Sequence, residues 1–115
     1  MKKDWIIYLI YLLFLFLLLL SGGAFAQVEV IHFNADWNKD NDVVWFSNLK
    51  ECNKQTLLIE EDGNQNKYEI AIVPTIIIFD EGEEVKRFQA DLSFKLLATR
   101  KEIQNYIDEL IISKF

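Results

Sequence analysis

Cysteine is nearly absent. Cys52 is the single thiol in 115 residues, which excludes an internal disulfide framework, a C-x-x-C redox pair and a cysteine zinc site. One histidine, His32, excludes His-rich metal centres. One proline and four glycines exclude collagen-like repeats and proline-rich linkers. Basic charge is also short: 12 Lys and Arg stand against 18 Asp and Glu, a net charge of −6. A phosphate backbone needs a basic face, so this balance argues against nucleic acid. It also argues against docking on anionic lipid. The length fits one domain.

What the chain does have in excess is apolar residues, and they are concentrated at one end. Residues 5–20 (WIIYLIYLLFLFLLLL) carry no charge. Lys2 and Lys3 precede this block, and Ser21-Gly22-Gly23 and the small-x-small triplet Ala24-Phe25-Ala26 follow it. That order reads as an export signal in residues 1–26, cleaved before Gln27. A competing reading is an uncleaved anchor, because residues 5–26 approach the ~20 apolar residues needed to cross a bilayer. No cysteine stands directly after the block, which excludes a lipoprotein anchor. Under either reading residues 27–115 form one domain outside the cytoplasm, periplasmic or at the cell surface. Membrane contact is then confined to residues 5–26, and only if they stay attached.

The remaining chain alternates strand and helix signals. Val28–Phe33 (VEVIHF) alternates like a strand. Asn34–Asp42 is polar and loop-like. Asp42 is placed to cap a helix running to about Asn53, with Trp45, Leu49 and Cys52 on one face. Thr56–Glu60 predicts a second strand, Asp62-Gly63-Asn64 a turn, and Asn66–Ile70 a short helix. The β-branched run Thr75–Phe79 (TIIIF) predicts a strand buried on both faces. Asp80-Glu81-Gly82-Glu83 predicts a hairpin turn with a return strand over Glu84–Gln89. Thr99-Arg100-Lys101-Glu102 is a capping box. It opens a last helix with Ile103, Tyr106, Ile107, Leu110 and Ile111 on one stripe. The fold class is α/β, a mixed four-stranded sheet with helices on its faces.

Two stretches resemble the thioredoxin family. Val30 to Asn41 (VIHFNADWNKDN) looks like the thioredoxin strand that runs into A-x-W-C-x-x-C. Ile72 to Glu83 (IVPTIIIFDEGE) is similar to the family's (I/V)-P-T-strand-x-x-G segment, in which the proline is cis. The resemblance covers nearly all of residues 28–112 and implies a minimal thioredoxin-like fold, with strand order 2-1-3-4. It also shows departures. The family's two cysteine positions fall on Asn38 and Asn41, and an amide can neither attack a disulfide nor resolve one. His32 stands where many thioredoxins carry a buried acid. The family's first strand and helix have no room after cleavage.

The implied function is a non-catalytic, exported thioredoxin-like domain, a protein-binding or scaffolding subunit of a cell-envelope assembly. Its partner is another envelope protein, and no cofactor is expected. The candidate binding residues are Trp37, Asn38, Asn41, Val73 and Pro74. Trp37 is either an exposed anchor or packed over the helix start, and Pro74 either presents backbone to a partner or serves the fold alone. Alternatives from other classes are a thiol function through Cys52 and a weak calcium-stabilised module. The calcium reading rests on Asp36, Asn38, Asp40 and Asp42 at alternate positions, as in a calcium loop. Asn41 in place of the turn glycine and Ser47 in place of the bidentate glutamate weaken that match. Cys52 otherwise reads as a small core residue, His32 as a hydrogen-bonded interior residue, and the acidic runs 60–62 and 80–84 as solvated surface.

Overall fold

The structure, a computed structural model, describes residues 2–21 and 28–115, with side chains for 4–16 and 28–115. Lys2–Ser21 forms the helix α1, whose residues 5–16 expose their apolar side chains. Among the described residues no helix is long and apolar enough to cross a membrane. The triplet 24–26 and Gln27 lie outside the described residues.

The sheet follows from the apolar patterning. β1 (Val28–Asn34) pairs in parallel with β2 (Asn53–Leu58) and antiparallel with β3 (Thr75–Asp80). β3 pairs antiparallel with β4 (Glu83–Gln89), giving the order β2-β1-β3-β4. The implied order is therefore the observed one. The β3–β4 turn holds Glu81 at φ 53° and Gly82 at φ 83°, the doubly positive geometry that suits a two-residue hairpin.

Each sheet face gathers its own core. On one face Val28, Val30, Ile76 and Ile78 pack against Ile103 and Ile107 of α3 (Arg100–Ile112) and against Val43, Phe46 and Leu49. On the other face Ile31, Phe33 and Ile77 pack with Ala35, Ile70 and Val73. Ile76, Ile77 and Ile78 are all fully buried, as a β-branched central strand requires. Thr99 caps α3 as the sequence indicated: its hydroxyl accepts from the Glu102 N–H at 3.2 Å.

Three expectations need correction. The helix expected over 42–53 is absent. Residues 35–49 turn instead through 3-10 geometry, Asp36–Asn41 and Phe46–Asn48, with Phe46 N–H bonded to the Val43 carbonyl and Leu49 N–H to that of Phe46. The buried residues Val43, Phe46 and Leu49 recur every three positions, the 3-10 period. Trp45 and Cys52 stay at the margin of that core. Asp42 does not cap, because its carboxylate accepts from the Asn34 side chain. Glu51, at φ 63°, then reverses the chain. β2 begins three residues before the expected Thr56, because it follows its register on β1 rather than any apolar signal of its own. The short helix α2 lies at Asn64–Lys67, not Asn66–Ile70, and Ile70 points into the core.

Candidate functional site

β1 ends in Asn34, and the first 3-10 turn carries Asn38 and Asn41 over it. Asn34 and Asn38 are both buried, Asn38 with 4% of its surface exposed. Buried amides need partners, and these two find them in each other. Asn34 Nδ2 donates to the Asn38 carbonyl at 3.1 Å and to Asp42 Oδ1. Asn38 Nδ2 donates to Asn34 Oδ1 and to the Phe94 carbonyl, both at 3.1 Å. Asn41 Nδ2 donates to Asn38 Oδ1 at 2.8 Å. All four N–H bonds of the Asn34 and Asn38 amides are used. The two positions where the resemblance implies cysteines are thus joined by an amide–amide hydrogen bond.

A largely apolar groove adjoins this network through Phe94. Trp37 is 64% exposed and meets Phe94 edge-on, with ring centroids 5.1 Å apart. The two rings, with Ile59, Gln65, Ile70, Ala71, Ile72 and Val73, line a groove of about 90 Å³. Phe94 is held at φ 61°, a costly conformation for a bulky residue. The Asn38 amide grips its carbonyl there. The Val73–Pro74 bond is cis. Pro74 is buried, and its carbonyl accepts from the Ala90 N–H at 3.0 Å. Among the described residues no hydrogen bond engages the Val73 backbone.

The five candidate binding residues therefore separate. Trp37 and Val73 line one groove. Asn38 and Pro74 sit in the interior, and Asn41 borders a separate depression of about 230 Å³ beside Asp40, Val44 and Lys95. Phe94 was not legible as a groove residue. Its placement depends on Asn38, 56 positions earlier, and no local pattern marks it.

The other candidates serve the fold in ways that limit their chemistry. Cys52 is half-buried against the α3-side core. Burial pushes its thiol pKa up, which Lys54 opposes and Glu51 reinforces. A thiol held protonated is a poor nucleophile. His32 is 3% exposed, packs on Phe46 at 5.3 Å between centroids, and has Nδ1 3.5 Å from Thr56 Oγ1. Its Nε2 is buried without a partner, so the expected hydrogen-bonded interior residue is buried but only weakly bonded. Desolvation lowers its pKa, and the charge of Asp42 opposes that shift. The alternating run at 36–42 does not converge. Asn38 and Asp42 are spent on Asn34, and Glu60 accepts from the Asp36 N–H. Among the described residues no group of three or more His, Cys, Asp and Glu is placed to hold a metal ion.

No family model and no curated protein matches the sequence. Solved structures do match. Reduced Schistosoma mansoni thioredoxin pre-protein aligns at a TM-score of 0.58 and 20% identity, over 81% of this chain and 88% of that one. A mutant thioredoxin from Halobacterium salinarum aligns at 0.58 and 19%, over 73% and 74% of the two chains. Fasciola hepatica thioredoxin aligns at 0.52 and 18%, over 73% and 81%. At such identities the likeness is one of fold. The chain has a thioredoxin-like fold, carried by a sequence with one cysteine.

Proposed function

We propose that this chain is an exported, non-catalytic thioredoxin-like domain that binds another protein of the cell envelope, as a binding or scaffolding subunit. One observation carries the reading: Asn41 donates to Asn38 at 2.8 Å, and Asn38 in turn holds the carbonyl of Phe94, which with Trp37 edges an open groove. An amide pair supplies no thiolate and accepts no electrons. It does hold the turn and the Phe94 carbonyl, and so keeps the groove's wall in place. The groove offers exposed aromatic surface, and Trp is a common energetic centre of protein interfaces. The export part of the reading rests on Lys2, Lys3, the apolar block and Ala24-Phe25-Ala26.

The test has two arms. In an insulin-reduction assay wild type and Cys52→Ser should both show no turnover; Cys52-dependent turnover would make this a thiol enzyme. In affinity capture from envelope extracts, Trp37→Ala should weaken a copurified partner by ~30-fold or more, from ~2 kcal/mol at ~1.4 kcal/mol per decade. Glu83→Ala, at the start of β4, is the control. Equal retention by both variants would remove the groove from the binding face. The outer side of α3 around Lys101, Asn105 and Asp108 would be the next surface to vary.

A further inference from the structure

The sheet has two edges, and they are guarded unequally. In β4 four of seven residues are charged, Glu83, Glu84, Lys86 and Arg87, and its register on β3 shifts between Ile78 and Phe79. Charge and a bulge both discourage a foreign strand. β2 has neither guard. It carries one charge, Lys54, no proline and an unbroken register on β1. Lys54 does not screen the edge, because its Nζ reaches back to the Ser47 and Leu49 carbonyls at 2.8 and 2.6 Å. Among the described residues only β1 pairs with β2. The outer side of β2 presents a row of backbone N–H and C=O groups.

A pocket of about 200 Å³ opens beside this edge. Thr56 of β2 forms one wall, with Asp42, Val43, Val44, Phe46 and buried His32 around it. A strand laid along β2 would direct every second side chain to this face of the sheet, and one would fall next to Thr56. Val44, 86% exposed, and Phe46 offer apolar wall. One oxygen of Asp42 accepts from Asn34, and the other meets no protein donor among the described residues. His32 is among the residues lining this pocket, and its Nε2 is buried without a partner, whereas buried polar groups are normally paired. The end of the edge after β2 is acidic, with Glu60, Glu61 and Asp62, while Glu51 before β2 sits beside Lys50.

We propose that the β2 edge takes up an extended, basic strand of a partner protein, with a lysine or arginine side chain entering the pocket between Asp42 and Thr56. Main-chain pairing supplies affinity in such additions, and side-chain pockets supply selectivity. The aliphatic stem of Lys or Arg packs on Val44 and Phe46, and its charged head reaches Asp42. This surface is distinct from the Trp37 groove and stands or falls independently of it.

The test uses the full chain in detergent micelles and synthetic peptides of alternating Thr and Val. One peptide carries a central Lys, one a central Glu, and two further Lys peptides are N-methylated at alternate residues, one in each frame. The Lys peptide should slow amide exchange across residues 53–58. It should bind about tenfold more tightly than the Glu peptide and than one of the two N-methylated forms. Asp42→Asn keeps the acceptor for Asn34 and should abolish the preference for Lys over Glu. If that variant is unstable, the peptide comparison on wild type decides alone. Equal binding of Lys and Glu peptides, indifference to both N-methylations, or protection at residues 83–89 or around Trp37 would overturn the proposal. So would no binding by the Lys peptide. Concentration-dependent self-association that protects residues 53–58 without peptide would place a second copy on the edge and overturn it as well.

Discussion

The segments that follow Asn34 and precede Pro74 meet at one end of the sheet, but different forces hold them. The Pro74 half continues into β3 and β4, a backbone ladder in which β3 is filled by buried β-branched residues. Its shape is a matter of strand pairing and burial. The Asn34 half has no ladder after β1 and no α-helix. Three side-chain amides, Asn34, Asn38 and Asn41, hold it together with the Asp42 carboxylate. A ladder spreads its stability over many equivalent groups, so its weak points are cavities. A closed amide network concentrates stability in a few atoms, and each loss strands its partners.

Substitutions in the two halves should therefore fail in different ways. Ile77→Ala opens a cavity beside Phe33 and Val73 and should cost about 3 kcal/mol in denaturant unfolding. It should leave the Trp37–Phe94 contact unchanged in the folded state. Asn38→Ala should cost less, about 2 kcal/mol. It strips partners from Asn34 Oδ1, the Phe94 carbonyl and Asn41 Nδ2, so amide exchange should rise locally across residues 91–97. If Asn38→Ala loosened β3 and β4 as much as that loop, the two halves would not be separately held.

The smallest effect concerns the buried ring beneath the amide half. Burial lowers the pKa of His32 below its ordinary 6.5, more than Asp42 restores it. The unfolded chain then takes up that proton more readily than the folded one. Stability from this group is held above pH about 6.5 and falls as the pH drops below it toward the folded value. The difference in unfolding free energy between wild type and His32→Gln should change with pH in that window and be flat above it. A flat difference throughout would mean that the ring is not desolvated.

The same contrast governs how much could be read from the sequence. β3, its hairpin and α3 were legible because their signals are local: TIIIF, the Glu81-Gly82 turn and the Thr99–Glu102 box. Residues 42–53 are deceptive in sequence, because Trp45, Leu49 and Cys52 fit a helical template while the core takes Val43, Phe46 and Leu49 at a spacing of three. The amide network was not legible. Asparagines at 34, 38 and 41 look like loop composition until the turn stacks them, and Phe94 joins only through the Asn38 amide. Trp37 and Val73 did reach one groove, because the motif frame located both loops.

The resemblance puts the family's two cysteines at Asn38 and Asn41, and the proposed function requires that this pair do only structural work there. Introducing Asn38→Cys and Asn41→Cys together tests this most directly, by counting free thiols after mild oxidation. The variant should close an internal disulfide and leave Cys52 as its one free thiol, with the fold retained. Cysteines at 38 and 41 that both stay free under oxidant, in a folded protein, would show that the turn does not hold the geometry the account requires.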